Sequence, residues 1–303
     1  MEFIRNTHFD FLGKKKFSFV ISSVLVILGI IEVITMLLGT ANIGIDFTGG
    51  LTMQLLFKHK LNVPLVRKSL TSGGFKDIKI IKFKGKNECI IKTKLIGNNI
   101  TKYADKLKSV VKKSSPGNPF KVISNEMVGP SVGSSMTKDA IIAIIIAIVS
   151  IVIYITWRFE FRFGAAAAIG LAHDILALLG VIFIFDKEIT LLVITAILTV
   201  AGYSLTDKVV VFDRIRENLK LESEQKQPIN LTNLVNKSIN EVLTRTVVTS
   251  LTVILVVLSL FFLGGSVLHD FAFTLLFGVI IGTYSSIFIA SPIMVIFNEK
   301  YYK

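Results

Sequence analysis

Seven ionisable side chains stand inside or at the ends of long apolar runs: Glu32, His173, Asp174, Asp207, Lys208, Asp213 and Arg245. Charge at membrane depth is costly, and by default it marks a substrate, ion or proton path. A carboxylate or imidazole in low dielectric, with an arginine in reach, can load and release a proton. Asp207 is the first candidate for that chemistry. Neighbours on a helix point about 100° apart, so Lys208 is expected to snorkel to the interface rather than pair with it. For Asp174, a pathway role and simple satisfaction by His173 or by helix packing stand open alike. Asp213 and Arg245 fit an interfacial anchor as readily as a pathway role, and Glu32 reads as a snorkelling interface residue. The candidate proton pathway is therefore Asp207, Arg245, Asp213, Asp174 and His173.

Other chemistry is missing from the sequence. There is no G-x-x-x-x-G-K-[ST] run and no H-E-x-x-H, and four scattered His with one Cys do not make a zinc site by local spacing. No catalytic residue, metal or cofactor is expected. Gly44-Ile45-Asp46-Phe47-Thr48-Gly49-Gly50 is glycine-rich but leads into a strand, so it reads as a close-packed turn or hinge rather than a phosphate loop.

The elements that position these residues are membrane helices. The chain has 303 residues, 52% hydrophobic and 18% charged, with a mean hydropathy of +0.67; soluble domains carry roughly 25% charged residues. This excludes a soluble globule and a disordered chain, and a single cysteine excludes a disulfide scaffold. The net charge of +13 does not indicate a nucleic-acid partner: 18 of the 34 Lys and Arg lie between residues 40 and 138, and most others cap apolar runs. Six runs are long enough to span a bilayer, over 17–38, 140–156, 163–185, 189–212, 247–263 and 271–297. The first reads as an uncleaved signal anchor.

Short-loop Lys and Arg number fourteen on one side, including Arg5, Lys14, Lys15, Lys16, Arg158, Arg162, Lys300 and Lys303, against Lys187 on the other. Both termini are therefore expected in the cytoplasm. The organisation is a cytoplasmic stretch 1–16, helix 17–38, an extracytoplasmic domain 39–138, and helices two to six over 139–303 with a cytoplasmic loop 213–245. One six-helix half leaves Asp174 and Asp207 short of internal partners, which predicts a hetero-oligomer.

The outer segment reads β-α-β-β-α-β, a ferredoxin-like split unit. Strands are expected over 51–58, 76–84, 88–95 and 120–127, helices over 64–72 and 101–113, and a turn at Gly85-Lys86-Asn87. Lone Cys89 reads as an apolar filler. After Pro228, the spacing of Leu231, Leu234, Val235, Ile239 and Val242 predicts an amphipathic helix on the membrane surface or on a partner. Gly278 and Gly282, and the small residues 164–168, predict close helix packing. Ser291-Pro292 predicts a kink.

Several motifs together resemble the SecF family of the bacterial Sec protein-export machinery. They are Gly44–Gly50, Val128-Gly129-Pro130-Ser131-Val132-Gly133, Trp157–Phe163, His173-Asp174, Gly202-Tyr203-Ser204-Leu205-Thr206-Asp207 and the run Val209–Asn218. Arg245-Thr246, Thr249-Ser250, Gly264-Gly265, Gly282–Ser286 and Ala290-Ser291-Pro292 complete the set. Two positions depart from the family pattern, Thr206 for the usual Asn and Lys208 for a small uncharged residue. The resemblance implies a SecD-like six-span partner, a combined membrane unit of the RND transporter type, and work beside the SecYEG channel and SecA motor. There the proton gradient would help draw unfolded preproteins across the inner membrane, with no enzymatic chemistry. Asp207 and Arg245 carry over as proton-pathway residues, and the glycine motifs (Gly49, Gly50, Gly129, Pro130, Gly133) would serve as hinges of the outer domain. The rival from another class is a small-molecule or lipid exporter subunit of the same superfamily, and a third reading is a membrane-anchored scaffold or sensor.

Overall fold

After Lys14, 23 residues with no charge but Lys15, Lys16 and Glu32 form the first membrane helix, α1 (Lys15–Leu37). The computed structural model describes residues 7–83, 87–95, 100–224 and 229–298. Arg5, Gly85, Lys86, Pro228, Lys300 and Lys303, used in the sequence reading, lie outside the described residues. The chain divides into two compact units, Ile43–Ala143 and the remainder, Met1–Asn42 with Ile144–Lys303.

The first unit opens on a short helix, α2 (Ile45–Thr48), and the central strand β1 (Gly50–Phe57). Helix α3 (Val63–Ser72) follows. The Asn62 side chain accepts the Leu65 N–H at 3.3 Å, and a proline in the first turn needs no donor partner. Then come β2 (Lys76–Lys82), β3 (Glu88–Lys94), α4 (Ile100–Ser114) and β4 (Phe120–Val128). The sheet order is β2-β3-β1-β4 with every pair antiparallel, Leu51 facing Thr93 on one side and Met127 on the other. This is the expected split β-α-β-β-α-β arrangement. Leu51, Met53, Leu55 and Phe57 meet Val66, Leu70, Leu107 and Val111 in one apolar layer between sheet and helices. Edge strand β2 keeps Ile78 and Ile80 against that core and leaves Ile81 exposed beside its lysines, which blunt the free edge.

The two glycine motifs pack on each other. Gly49 has φ 70°, a conformation suited to glycine, and a Cβ on Gly133 would stand 2.9 Å from the Phe47 carbonyl oxygen. A close-packed clasp is thus the geometry of this junction.

The second unit is built on α1 and on α5 (Pro130–Arg158), which begins in the first unit. It continues with α6 (Phe161–Ile184), α7 (Leu191–Glu224), α8 (Leu231–Leu263), α9 (Gly265–Ser285), a π-helical turn at Ser286–Ala290, and α10 (Ser291–Asn298). Among the described residues six stretches are long and apolar enough to cross a membrane, the last running through α9 and α10. Helices α6, α7 and α9–α10 are half or more buried within the chain, whereas α1, α5 and α8 turn most of their apolar surface outward. Glycines allow the closest approaches: a Cβ on Gly29 or Gly180 would strike the backbone carbonyl of Leu176 or Leu25 where α1 crosses α6, and one on Gly278 would strike Val200 of α7.

Three expectations change here. The first part of the segment 213–245, expected as a solvated loop, is helical to Glu224; the helix expected after Pro228 is present from Leu231, with the Asn230 side chain capping α8 through the Asn233 N–H at 3.1 Å. Helix α7 has 34 residues, about 51 Å at 1.5 Å per residue, so it runs well past the hydrocarbon. The apolar face at Leu231, Leu234, Val235, Ile239 and Leu243 does not lie on a membrane surface: it packs on Val211, Phe212, Ile215 and Leu219 of α7. Its other side holds the N-terminal segment, since Asn240 exchanges bonds with the Phe9 backbone (3.0 and 2.9 Å) and Asn236 accepts from Phe11 N (3.0 Å). Finally, where a kink is expected at Ser291-Pro292, the helix carries a π turn just before the proline. Proline offers no N–H to the Phe288 carbonyl, and the preceding turn widens into the π-helical segment.

Candidate functional site

A polar lattice fills the space between α6, α7, α9 and the π turn. Asp174 and Lys208 are both fully buried. Lys208 Nζ donates to Asp174 Oδ2 at 2.5 Å, to Ser204 Oγ at 2.5 Å and to Ser285 Oγ at 3.0 Å. Ser204 Oγ also donates to Asp174 Oδ2, and His173 Nδ1 lies 3.0 Å from Asp174 Oδ1. The snorkelling expected of Lys208 is therefore wrong: α7 aims the residue across to α6, and Gly170 makes room for it, since a Cβ there would sit 2.6 Å from Lys208 Cε. Asp174 likewise finds its partners within its own chain, against the expectation that it needs another subunit.

Asp207, one position earlier, faces elsewhere. Its Oδ2 lies 2.9 Å from Ser286 Oγ in the π turn, and Ser286 Oγ lies 2.8 Å from the Thr283 carbonyl. The residue lines a cavity of about 80 Å³ with Tyr203, Thr206, Val210, Arg245, Thr246 and Thr249, room for several waters. Buried Thr246 Oγ1, on its wall, has no hydrogen-bond partner among the described residues, and neither has His173 Nε2. Arg245 also lines a wider cleft of about 1510 Å³ between the N-terminal segment and the first half of α8, with Lys15, Lys16 and Lys237. Cleft and cavity thus share one lining residue, Arg245.

The structure brings Asp207 and Arg245 around one cavity and sets His173 and Asp174 in the adjoining lattice. It does not bring Asp213 there: Asp213 pairs with Arg158 and ties α7 to the end of α5. Glu32 is buried rather than snorkelling. Thr35 Oγ1 donates to it at 3.1 Å, and it lines a separate cavity of about 100 Å³ with Asn42, Asp186 and Lys187. The sequence reading assigned no role to Ser204, Ser285, Ser286 or Thr246. The available signal was their type, since hydroxyls on membrane helices recur as interhelical hydrogen-bonding groups. Gly278 and Gly282 pack α9 on α7 as expected, with a Cβ on Gly282 falling 3.0 Å from Ser204 Cβ. Among the described residues no cluster of His, Cys, Asp and Glu forms a metal site.

Comparison with known proteins gives a consistent picture. The family model described as "Protein export membrane protein SecD/SecF, C-terminal" matches residues 106–300. The protein translocase subunit SecF of Thermodesulfovibrio yellowstonii is 42% identical over 300 residues, covering 99% of this chain and 98% of the relative. That of Calditerrivibrio nitroreducens is 39% identical, covering 97% and 96%. The crystal structure of SecDF from Thermus thermophilus, a translocon-associated membrane protein, superposes with a TM-score of 0.82 at 32% identity. The match covers 97% of this chain and 39% of SecDF, so the present chain corresponds to about two fifths of that longer protein. A second SecDF structure, in a super-membrane-facing form, gives a TM-score of 0.68 at 31% identity.

Proposed function

This chain belongs to the SecD/SecF family of protein-export membrane proteins, and from that premise we propose how it works. It acts as the SecF-type auxiliary subunit of the Sec translocase, in the inner membrane with both termini cytoplasmic. It pairs with a SecD-type six-span subunit and uses the proton motive force to promote late steps of preprotein translocation through a SecYEG-type channel, after a SecA-type motor. It performs no covalent catalysis. The outward apolar faces of α5 and α8 suit lipid and that partner subunit.

The observation that carries the reading is the setting of Asp207. Its neighbour Ser286 can serve both protonation states, because a hydroxyl has one hydrogen and two lone pairs. With Asp207 ionised, Ser286 donates to the carboxylate; with Asp207 protonated, Asp207 donates to Ser286, which turns its own hydrogen to the Thr283 carbonyl. The cavity has room for water, and Arg245 lines the same cavity. The cleft beyond Arg245 offers a route to the side of the N-terminal segment. Each charge moved across the membrane yields about 2.3 kcal/mol per 100 mV. Protonation of Asp207 from one side and release to the other would couple that energy to two arrangements of the helices.

The test is Asp207→Asn, which mimics the protonated form, in vesicles containing the full complex. Stimulation of export by the proton motive force should be lost, while ATP-driven export and co-purification with the SecD-type subunit persist. Normal stimulation in an assembled Asp207→Asn complex contradicts the assignment.

A further inference from the structure

We propose that Lys208 is a positioning residue that confines proton exchange to Asp207, by occupying the other carboxylate of the site, Asp174. This rests on the proton-driven reading above. Two carboxylates stand on adjoining helices, and their surroundings differ in kind. Both oxygens of Asp174 are already engaged: Oδ1 lies 3.0 Å from His173 Nδ1, and Oδ2 accepts from the ammonium and from Ser204. The bonds around the ammonium close without a gap. Its three hydrogens are used by Asp174, Ser204 and Ser285; Ser204 passes its own to Asp174, and Ser285 passes its own to the Gly282 carbonyl at 3.1 Å.

A proton added to Asp174 would leave Oδ2 between two donors and strand a fully buried ammonium without a counter-charge, which is strongly unfavourable. Asp207 has the Ser286 hydroxyl and a cavity with room for several waters instead, with Thr246 on its wall, so a proton can arrive there without stranding a buried cation. The titratable group in contact with the pair is His173 on α6; Asp207 on α7 turns to the adjoining cavity, which Tyr203 of α7 and Arg245 of α8 also line. Helix α9 and the π turn present the hydroxyls of Ser285 and Ser286, and Tyr284 turns away to α1, donating to the Ser18 carbonyl at 2.9 Å. With Asp174 and Lys208 cancelling, the net charge of the lattice changes only when Asp207 titrates. Gly170 is part of the device, because a Cβ there would sit 2.6 Å from Lys208 Cε and force the lysine stem to shift.

The experiment measures proton-driven stimulation of export against pH in vesicles carrying the full complex, for the native chain, Lys208→Met, the double variant Asp174→Asn/Lys208→Met, and Asp207→Asn. Lys208→Met frees Asp174 to titrate, so its pH profile should gain a second inflection. The double variant removes both charges and should retain stimulation with the single inflection of the native chain. An assembled Lys208→Met complex with an unchanged profile overturns the proposal, and so does an assembled double variant that has lost stimulation. If Lys208→Met fails to assemble, the double variant decides. Failure of both to assemble also contradicts the proposal, since the pair would then be needed for folding rather than for proton selectivity. Asp207→Asn separates the two levels: stimulation that survives it removes the proton-driven reading itself. Loss in Asp207→Asn together with loss in the assembled double variant leaves that reading standing and removes the role of Lys208.

Discussion

Both units of this chain bury apolar side chains, but only the membrane unit fully encloses a charged pair and a set of hydroxyls with them. In the α+β domain the deepest side chains are Leu51, Met53, Leu55, Leu70, Ile91 and Leu107, as for any domain that folds in water. In the membrane unit Asp174, Ser204, Lys208, Ser238, Thr274, Ser285, Ser286 and Ser291 are all fully buried, while Ile141, Ile145, Val149 and Ile153 of α5 stand exposed. Lipid is as apolar as leucine, so burial of apolar surface drives the first unit but not the association of helices in the second. The interior of the membrane unit is instead where close backbone contact and hydrogen bonding are available. A substitution must therefore be judged by what its side chain meets, and an exposed apolar side chain of a membrane helix should weigh far less than an enclosed one in the domain.

The largest effect should come from Gly29→Leu. A Cβ there already collides with the Leu176 carbonyl, and neither backbone can give way without parting α1 from α6. The expected cost is about 3 kcal/mol or more, read as a lowered unfolding midpoint of the purified protein in detergent. An unshifted midpoint would show that the crossing does not limit stability.

Next comes a matched pair, Ile91→Ala in the domain and Ile145→Ala in α5. Ile91 is fully enclosed, and its truncation should cost about 2–5 kcal/mol. Ile145 is 55% exposed and should change stability by about 0.5 kcal/mol or less. Equal losses would erase the distinction between the units.

The smallest effect concerns reactivity. Burial pushes the Cys89 thiol up to about 11, and only the thiolate attacks a maleimide. Since the thiolate grows as pH rises, Cys89 should stay unlabelled at pH 7 to 8 and react faster only as the pH approaches about 11. A Lys121→Cys variant, at an exposed position of β4, should label readily from the outer side of the membrane. Rapid labelling of Cys89 near neutral pH would show that the domain core opens, and labelling of Lys121→Cys only from the cytoplasmic side would reverse the topology.

The domain was legible because period-two and period-3.6 patterns report burial directly where one face meets water. Val66 and Leu70 on α3, and Leu107 and Val111 on α4, fall where their spacing places them. In the membrane unit the same patterns are ambiguous. Leu231, Leu234, Val235 and Ile239 have the spacing of a surface helix, yet they face α7, because a partner helix and a bilayer present the same apolar surface. Asp207 and Arg245 could be singled out from the cost of charge alone. The destination of Lys208 could not: it depends on Gly170, 38 positions away and without chemistry of its own, and on hydroxyls whose role appears only when four helical elements converge. The angle between Asp207 and Lys208 was read correctly as divergence, but not what stood in each direction.

The central claim is that Asp207 is the membrane carboxylate that takes up and releases the proton. Infrared difference spectroscopy of the reconstituted complex across a pH titration observes this at the carboxyl group itself. The account predicts a carboxylic-acid C=O band that grows as the pH falls, is absent in Asp207→Asn, and persists in the Asp174→Asn/Lys208→Met variant. A band that survives Asp207→Asn and disappears with Asp174 would contradict it.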